Sequence, residues 1–330
     1  MQSKTRRIGE FELIARYFAP LACDAPGALD LTDDAAWIES RADAQWVVTS
    51  DALVEGVHFL PDDPAELIAR KALRVNLSDL AAKGAEAKAY LLDLVLPATH
   101  DEAWIADFAR GLAKDQDEFG ISLIGGDTTG TPGPLTIAVT ALGQVPTGKM
   151  LVRSCAAVDD DIYVSGTIGD ATLGLVVRRG GLNRLGAAAQ GYLTERYRLP
   201  EPRTALGPKL VGVANAAMDV SDGLVADLGH ICATSGLGAV IEEDLVPLSP
   251  AAAAALREHP ALITAVLTGG DDYEILFTAP GAMASRIMTL ARTLNVPIAR
   301  IGRMRPEAGV EVLKSDGTAR EIDKPGWQHF

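Results

Sequence analysis

The sequence predicts an α+β protein built from two α/β-type domains, and three observations predict it. Of its 330 residues, 48% are apolar, enough to bury a sizeable core. Glycine is frequent (32 residues) and aromatics make up only 5%, a composition of tight turns and small-residue packing rather than of disorder. Apolar runs of strand character alternate with segments of helical period, and the alternation starts again past "VPTGKMLVRSCA". Pro146 and Gly148 in that stretch mark a boundary near residue 150, so the expected domains are 1–150 and 151–330. The strict βαβ rhythm of a doubly wound sheet is not present.

"FELIARYF" reads as a short helix, with Phe11, Ile14 and Phe18 near helical spacing. "WVVTSDALVEGVHF" starts as a valine-rich strand and ends polar. "DDPAELIARKALRVNLSDLAAKGA" is a helix capped by Asp63, with Pro64 at its first position and Gly84 at its end. Leu67, Leu73, Leu77 and Leu80 give it an apolar face. "AYLLDLVLP" is the next strand. Thr99-x-x-Glu102 reads as a capping box opening a helix that closes at Gly120. "ISLIGG" and "LTIAVTALGQV" are strands. In the second half "DIYVSG" and "YEILFTA" are strands. "DATLGLVVRRG", "RTALGPKLVGVANAA", "VSDGLVADLGHICATSG" and Pro280–Leu294 are helices. "SDGT" is a hairpin turn between two final strands.

Lysine and arginine total 30 against 44 acids, a net charge of −14. Such a surface repels nucleic acid and anionic membrane, and a phosphorylated ligand too unless cations neutralise the acids locally. The cysteines, Cys23, Cys155 and Cys232, are odd in number and widely spaced, which excludes a disulfide framework and a structural zinc site. The N-terminus lacks the apolar core of a signal peptide, and no stretch approaches 18 uninterrupted apolar residues. A cytoplasmic protein is the expectation. No phosphate-binding Gly-x-x-x-x-Gly-Lys-Ser/Thr loop, protein-kinase signature or Gly-x-Ser-x-Gly elbow occurs.

One local pattern recurs: an apolar run, then one or two acids, then small or hydroxyl residues. It appears at "LTDDAA" (Asp33, Asp34), "VVTSDAL" (Asp51), "NLSDL" (Asp79), "IGGDTTG" (Asp127), "MDVSDG" (Asp219, Asp222) and "LTGGDDYE" (Asp271, Asp272). Singly, each reads as an N-cap or a turn. Six together, at strand ends and element boundaries, form a set suited to Mg²⁺, which takes hard carboxylate oxygens together with substrate phosphates. The metal also resolves the charge conflict, because it inverts the local potential. His58 is the one histidine beside such a motif, and it either packs or contacts a ligand. Arg153 has the fork that holds phosphate bidentately, or is a solvated surface side chain. Trp327, almost at the C-terminus, is either a packed anchor or an aromatic platform.

The segments "GEFELIARYF", "TSDALVEGVHF", "RKALRVNLSDLAAKGA", "LIGGDTTG", "VRSCA", "MDVSDGL" and "LTGGDDYEI", in this order and over nearly the whole chain, resemble the thiamine-monophosphate kinase family. The resemblance implies the fold of aminoimidazole-ribonucleotide synthetase. Two N-terminal domains then pair into a shared β-barrel in a homodimer, and each C-terminal domain is an α/β sandwich. It implies ATP and thiamine monophosphate as substrates, thiamine diphosphate as product, and in-line transfer without a phosphoenzyme. Residues 1–150 would bind ATP and Mg²⁺ and dimerise, and 151–330 would complete the nucleotide and substrate contacts. By the same resemblance Asp34, Thr49, Ser50, Asp51, Asp79, Asp127, Asp219 and Asp222 match positions that hold several Mg²⁺ ions. Gly126, Asp127, Arg153 and Ser221 match nucleotide contacts, and His58, Asp271 and Trp327 match substrate contacts. No general base is implied; Asp127 and Asp222 would act through metal. The chain departs from the family where Asp30 and Thr32 replace two glycines, and where Asp271 stands for a common glutamate. The remaining alternatives are an enzyme of the same fold with another acceptor, and a non-catalytic Mg–nucleotide binder.

Overall fold

A computed structural model describes residues 9–33 and 35–327. The chain divides into two compact units, Met1–Leu80 with Glu86–Thr147, and Ala81–Ala85 with Gly148–Phe330.

The first unit begins with α1 (Glu10–Leu13), which widens into a π-type turn over Ile14–Phe18 and tightens into a 3-10 turn over Ala19–Ala22. The single helix expected over 11–18 is thus interrupted. Pro20, which has no N–H to donate, falls in the first turn of the 3-10 segment. Next come β1 (Ala44–Val54), α2 (Ala65–Ala82), β2 (Glu86–Pro97), α3 (Glu102–Phe119), β3 (Ser122–Thr131) and β4 (Thr136–Pro146). The strands form one sheet in the order β1-β4-β2-β3. β4 is antiparallel to β1 and β2, while β3 runs parallel to β2, a pairing that needs the long crossover supplied by α3.

Leu73, Leu77 and Leu80 of α2, Phe108 and Leu112 of α3, and Ile137 and Val139 of β4 are all essentially excluded from water. Arg70 and Arg74 of α2 both grip the wholly buried Asp115 of α3, at 2.7 and 2.8 Å, and both reach Glu118. The cap of α3 is Asp101, whose carboxylate accepts the Trp104 N–H, rather than Thr99. Thr99 instead meets the His100 ring, two residues too early to serve the first turn. Gly120 closes the helix in the left-handed conformation expected of it.

The second unit carries β5 (Asp161–Ser165), α4 (Asp170–Arg178), α5 (Ala187–Arg198), α6 (Gly207–Leu210), β6 (Ala216–Asp219), α7 (Leu224–Ser235), β7 (Gly238–Glu242), α8 (Pro250–Glu258), α9 (Ile263–Thr268), β8 (Ile275–Ala279), α10 (Ala284–Leu294), β9 (Ile298–Arg305) and β10 (Gly309–Leu313). Its six-stranded sheet has the order β10-β7-β9-β5-β8-β6, with every residue of β5, β6 and β8 buried. A wholly buried Glu274 binds Arg203 and Arg196 and accepts the Ser165 hydroxyl, which closes the polar balance of this core. The helix expected over 203–217 is only the four-residue α6, because its end turns at Gly212 and the apolar run that follows is β6. "SDGT" does turn, but β10 pairs in parallel with β7, and only a bridge at Ala319 follows the turn. Among the described residues no helix is long and apolar enough to cross a membrane.

Candidate active site

In the first unit the acids lie along β1, α2 and β3. Thr49 and Asp51 alternate with Ser50 on β1, so the strand points them to opposite faces. Thr49 Oγ1 donates to Asp79 on α2 through a short hydrogen bond, which places this pair on the helix-covered face. Ser50 pairs instead with Thr140 of β4, Oγ to Oγ1, at 2.9 Å, so its hydroxyl faces away from Asp79. Asn76, one turn before Asp79, is wholly buried and donates to the Ala72 carbonyl, leaving its Oδ1 without a hydrogen-bond partner.

Asp127 lies elsewhere. It is exposed on β3, at the sheet edge opposite β1, and accepts the Thr128 N–H. Three inter-strand spacings, about 14 Å along the sheet, separate the strand of Asp51 from this edge. Gly126 beside it has φ +146°, and a Cβ there would lie 1.8 Å from the Leu92 carbonyl oxygen of β2. Only glycine lets β3 approach β2 so closely with its backbone turned this way. A cavity of about 670 Å³ adjoins it, walled by Phe18, Leu31, Ile38, Leu91, Gly126 and Asp127. Asp30, in place of a glycine, takes the left-handed conformation at φ 54°, whereas Thr32 does not. Asp34 lies outside the described residues.

His58 ends the turn after β1. Its Nδ1 accepts the Val54 N–H at 3.0 Å, so the ring proton sits on Nε2. Its carbonyl accepts the Nζ of Lys71, a lysine only 2% exposed on α2.

The second unit assembles its predicted residues through the backbone. Asp219 ends β6 and is buried, and Ser221 and Asp222 lead into α7. The loop Ser221–Gly223 is tied down by one carboxylate: Asp227, in the first turn of α7, accepts all three of its N–H groups at 3.0 to 3.1 Å. Burial, reinforced by Asp219 and Asp222, pushes Asp227 up to about 8. Asp271 N donates to the Ser221 carbonyl, Tyr273 N to that of Val220, and Trp327 N to that of Asp222, all within 2.9 Å. Asp271 and Tyr273 both hold left-handed φ, at 72° and 52°, and the Tyr273 hydroxyl donates to Asp271 Oδ1. Between them Asp272 is buried and accepts N–H groups from Gly169 and Ala171 at the start of α4. Arg153 is exposed in a short 3-10 turn, and the preceding Val152 carbonyl accepts the Ala217 N–H of β6.

Ser221, Asp222, Asp271 and Trp327 therefore share one hydrogen-bonded seam. Sequence reasoning missed Asp227 and Lys71, and named Asp272 only as the second acid of its motif. An acid in the first turn of a helix that follows Asp219 and the glycine-adjacent Asp222 was the available signal for Asp227. Nothing local marked a lysine that is buried. Among the described residues no three His, Cys, Asp or Glu side chains stand close enough to hold a metal ion. The donor chemistry nevertheless fits Mg²⁺. The atoms offered are carboxylate, hydroxyl and amide oxygens, Asn76 Oδ1 is an orphaned acceptor, and Asp219, Asp222 and Asp227 crowd negative charge that a cation would relieve.

A four-stranded first unit followed by a six-stranded second one, with acids at strand ends in both, defines an AIR synthase related protein. The family's N-terminal domain matches residues 32–145 and its C-terminal domain residues 157–314. A thiamine-monophosphate kinase of Caulobacter vibrioides is 42% identical over 323 residues, 97% of this chain and 90% of that one. The chain belongs to the thiamine-monophosphate kinase family. Among solved structures, the thiamine-monophosphate kinase of Stenotrophomonas maltophilia superposes with a TM-score of 0.79 at 45% identity, covering 88% of this chain and 91% of that one. AaThiL complexed with AMPPCP and TMP superposes with a TM-score of 0.78 at 30% identity, over 99% and 100% of the two chains.

Proposed function

We propose that this chain transfers the γ-phosphoryl group of ATP to thiamine monophosphate, giving ADP and thiamine diphosphate. The observation that carries this reading is the seam of the second unit. There the nucleotide-side residues Ser221 and Asp222 share peptide hydrogen bonds with the acceptor-side residues Asp271 and Trp327. A transfer between two phosphates needs donor and acceptor contacts fixed next to each other, because positioning supplies most of the rate enhancement. Full-length kinship to AaThiL complexed with AMPPCP and TMP supports the same pair of substrates.

In this reading residues 1–150 carry nucleotide and Mg²⁺ contacts and the dimer surface, and 151–330 carry further nucleotide contacts and those of the acceptor. The Gly126 backbone approaches phosphate, and the cavity beside it, with both apolar and polar walls, suits a nucleobase. Arg153 offers its fork to phosphate. His58 donates from Nε2 to the acceptor's phosphate, and the carboxylate of Asp271 and the ring of Trp327 face the cationic thiazolium. The acceptor phosphate is already anionic, so no general base is needed. Asp34, Thr49, Ser50, Asp51, Asp79, Asp127, Asp219 and Asp222 would hold Mg²⁺, which supplies charge neutralisation between two polyanions. A second copy would cover the open sheet face that bears Val48 and Ser50 and close the barrel of a homodimer.

The test is an end-point assay with ATP, Mg²⁺ and thiamine monophosphate, with free thiamine and a metal-free control in parallel. Metal-dependent thiamine diphosphate from the monophosphate alone is the expected product. ATP turnover with another acceptor only, or Mg–ATP binding without turnover, would replace this reading by one of the two alternatives.

A further inference from the structure

The last described residues are Gly326 and Trp327, and they lie against the start of α7. Trp327 N donates to the Asp222 carbonyl at 2.9 Å. A Cβ built at Gly326 would lie 2.4 Å from Ala226 Cβ and 2.7 Å from the Asp222 carbonyl oxygen, contacts that real side chains do not make. The seat cannot yield, because Asp227 holds three successive N–H groups of residues 221–223 and the Ser221 carbonyl is taken by Asp271. The tail must therefore adapt to the seat. Trp327 is 58% exposed, so its main-chain bond to Asp222 has a large share in setting where its ring stands.

We propose that Gly326 is a positioning residue for the acceptor substrate: its missing side chain lets the tail reach the Asp222 carbonyl and so sets where the Trp327 ring stands. The inference rests on the reading of Trp327 as an acceptor contact. Gly326 is outside the left-handed region, so alanine brings no backbone strain and tests the contact alone. A residue that acts only through Trp327 has no effect once that ring is gone, which a double-mutant cycle measures.

The experiment compares steady-state kinetics of the full-length wild type, Gly326→Ala, Trp327→Ala and the double variant, with melting temperatures of each. Gly326→Ala is expected to raise KM for thiamine monophosphate about tenfold, with KM for ATP changed less than about twofold and the melting temperature unchanged. The double variant should match Trp327→Ala. A general structural role would instead move both KM values and the melting temperature. If Trp327→Ala raises KM for thiamine monophosphate while Gly326→Ala leaves it alone, or if the two effects add, this inference falls and the functional reading stands. If the wild type makes no thiamine diphosphate, both fall together.

Discussion

Asp127 is the residue on which the proposed chemistry can be separated most cleanly from folding. It is exposed, and the one N–H its side chain is seen to accept, from Thr128, an asparagine oxygen would accept equally. Asp127→Asn should therefore leave the thermal midpoint where it is while kcat/KM falls by about 10²-fold or more, the scale of losing one charge-stabilising contact in a transition state. Near-normal turnover would remove Asp127 from the site. Asp272, the buried acid between two left-handed residues, answers a different question. Burial raises its pKa well above the ordinary 3.8, against the two N–H groups that favour its charged form. A carboxyl whose folded pKa is raised binds its proton more tightly in the native state. The stability it gives is complete below the ordinary value and is lost as pH rises through the folded one. Asp272→Asn keeps an acceptor for Gly169 and removes the titration. Denaturant midpoints taken between pH ~5 and ~8 should then fall less steeply for the variant than for the wild type. Parallel slopes would show that Asp272 does not titrate in that range.

Between elements, the clasp of α2 on α3 is the clearest energetic feature. Arg74 is nearly buried, Asp115 entirely so, and the Arg74 guanidinium also lies over the Phe119 ring. Asp115→Ala would strand two guanidinium groups without their buried partner and should cost about 3 to 5 kcal/mol, read from urea denaturation. A loss below about 1 kcal/mol would mean that Glu118 alone suffices to pair them. These same helices were legible in the sequence because their signals are local: apolar residues at helical spacing, an acid or hydroxyl before, a glycine after. Where two local signals competed, sequence reading took the wrong one. Thr99-x-x-Glu102 has the form of a capping box, but Asp101 stands next to the first helical residue and takes the cap. The segment 203–217 has helical composition, yet Gly212 and the demand of β8 for an edge partner at β6 override it. The seam of residues 219–223, 271–273 and 326–327 was legible only as separate motifs. Its joining bonds run between main-chain groups, and those leave no mark on side-chain identity.

At the scale of the molecule, strand order is what local patterns do not encode. Asp51 and Asp127 sit in similar apolar-acid-hydroxyl motifs, yet the order β1-β4-β2-β3 sends them to opposite edges of one sheet. The alternation along β1 then divides its own motif, with Thr49 toward Asp79 and Ser50 toward Thr140. The face that carries Ser50 also carries Val48, which is 59% exposed and pairs in register with Leu142 of β4. An apolar strand residue left this open on a sheet of only four strands is suited to a second sheet packed over it, and under the proposed function a second copy of the chain would supply one. The wild type should therefore sediment at twice the 34.7 kDa of one chain. Val48→Lys places an ammonium, and on a symmetric copy a second one, where that second sheet would pack. The variant should sediment as a single chain while its far-ultraviolet circular dichroism stays that of the wild type. A wild type that sediments as one chain at micromolar concentration would remove the shared barrel. A Val48→Lys variant that stays paired would move the interface off this sheet face.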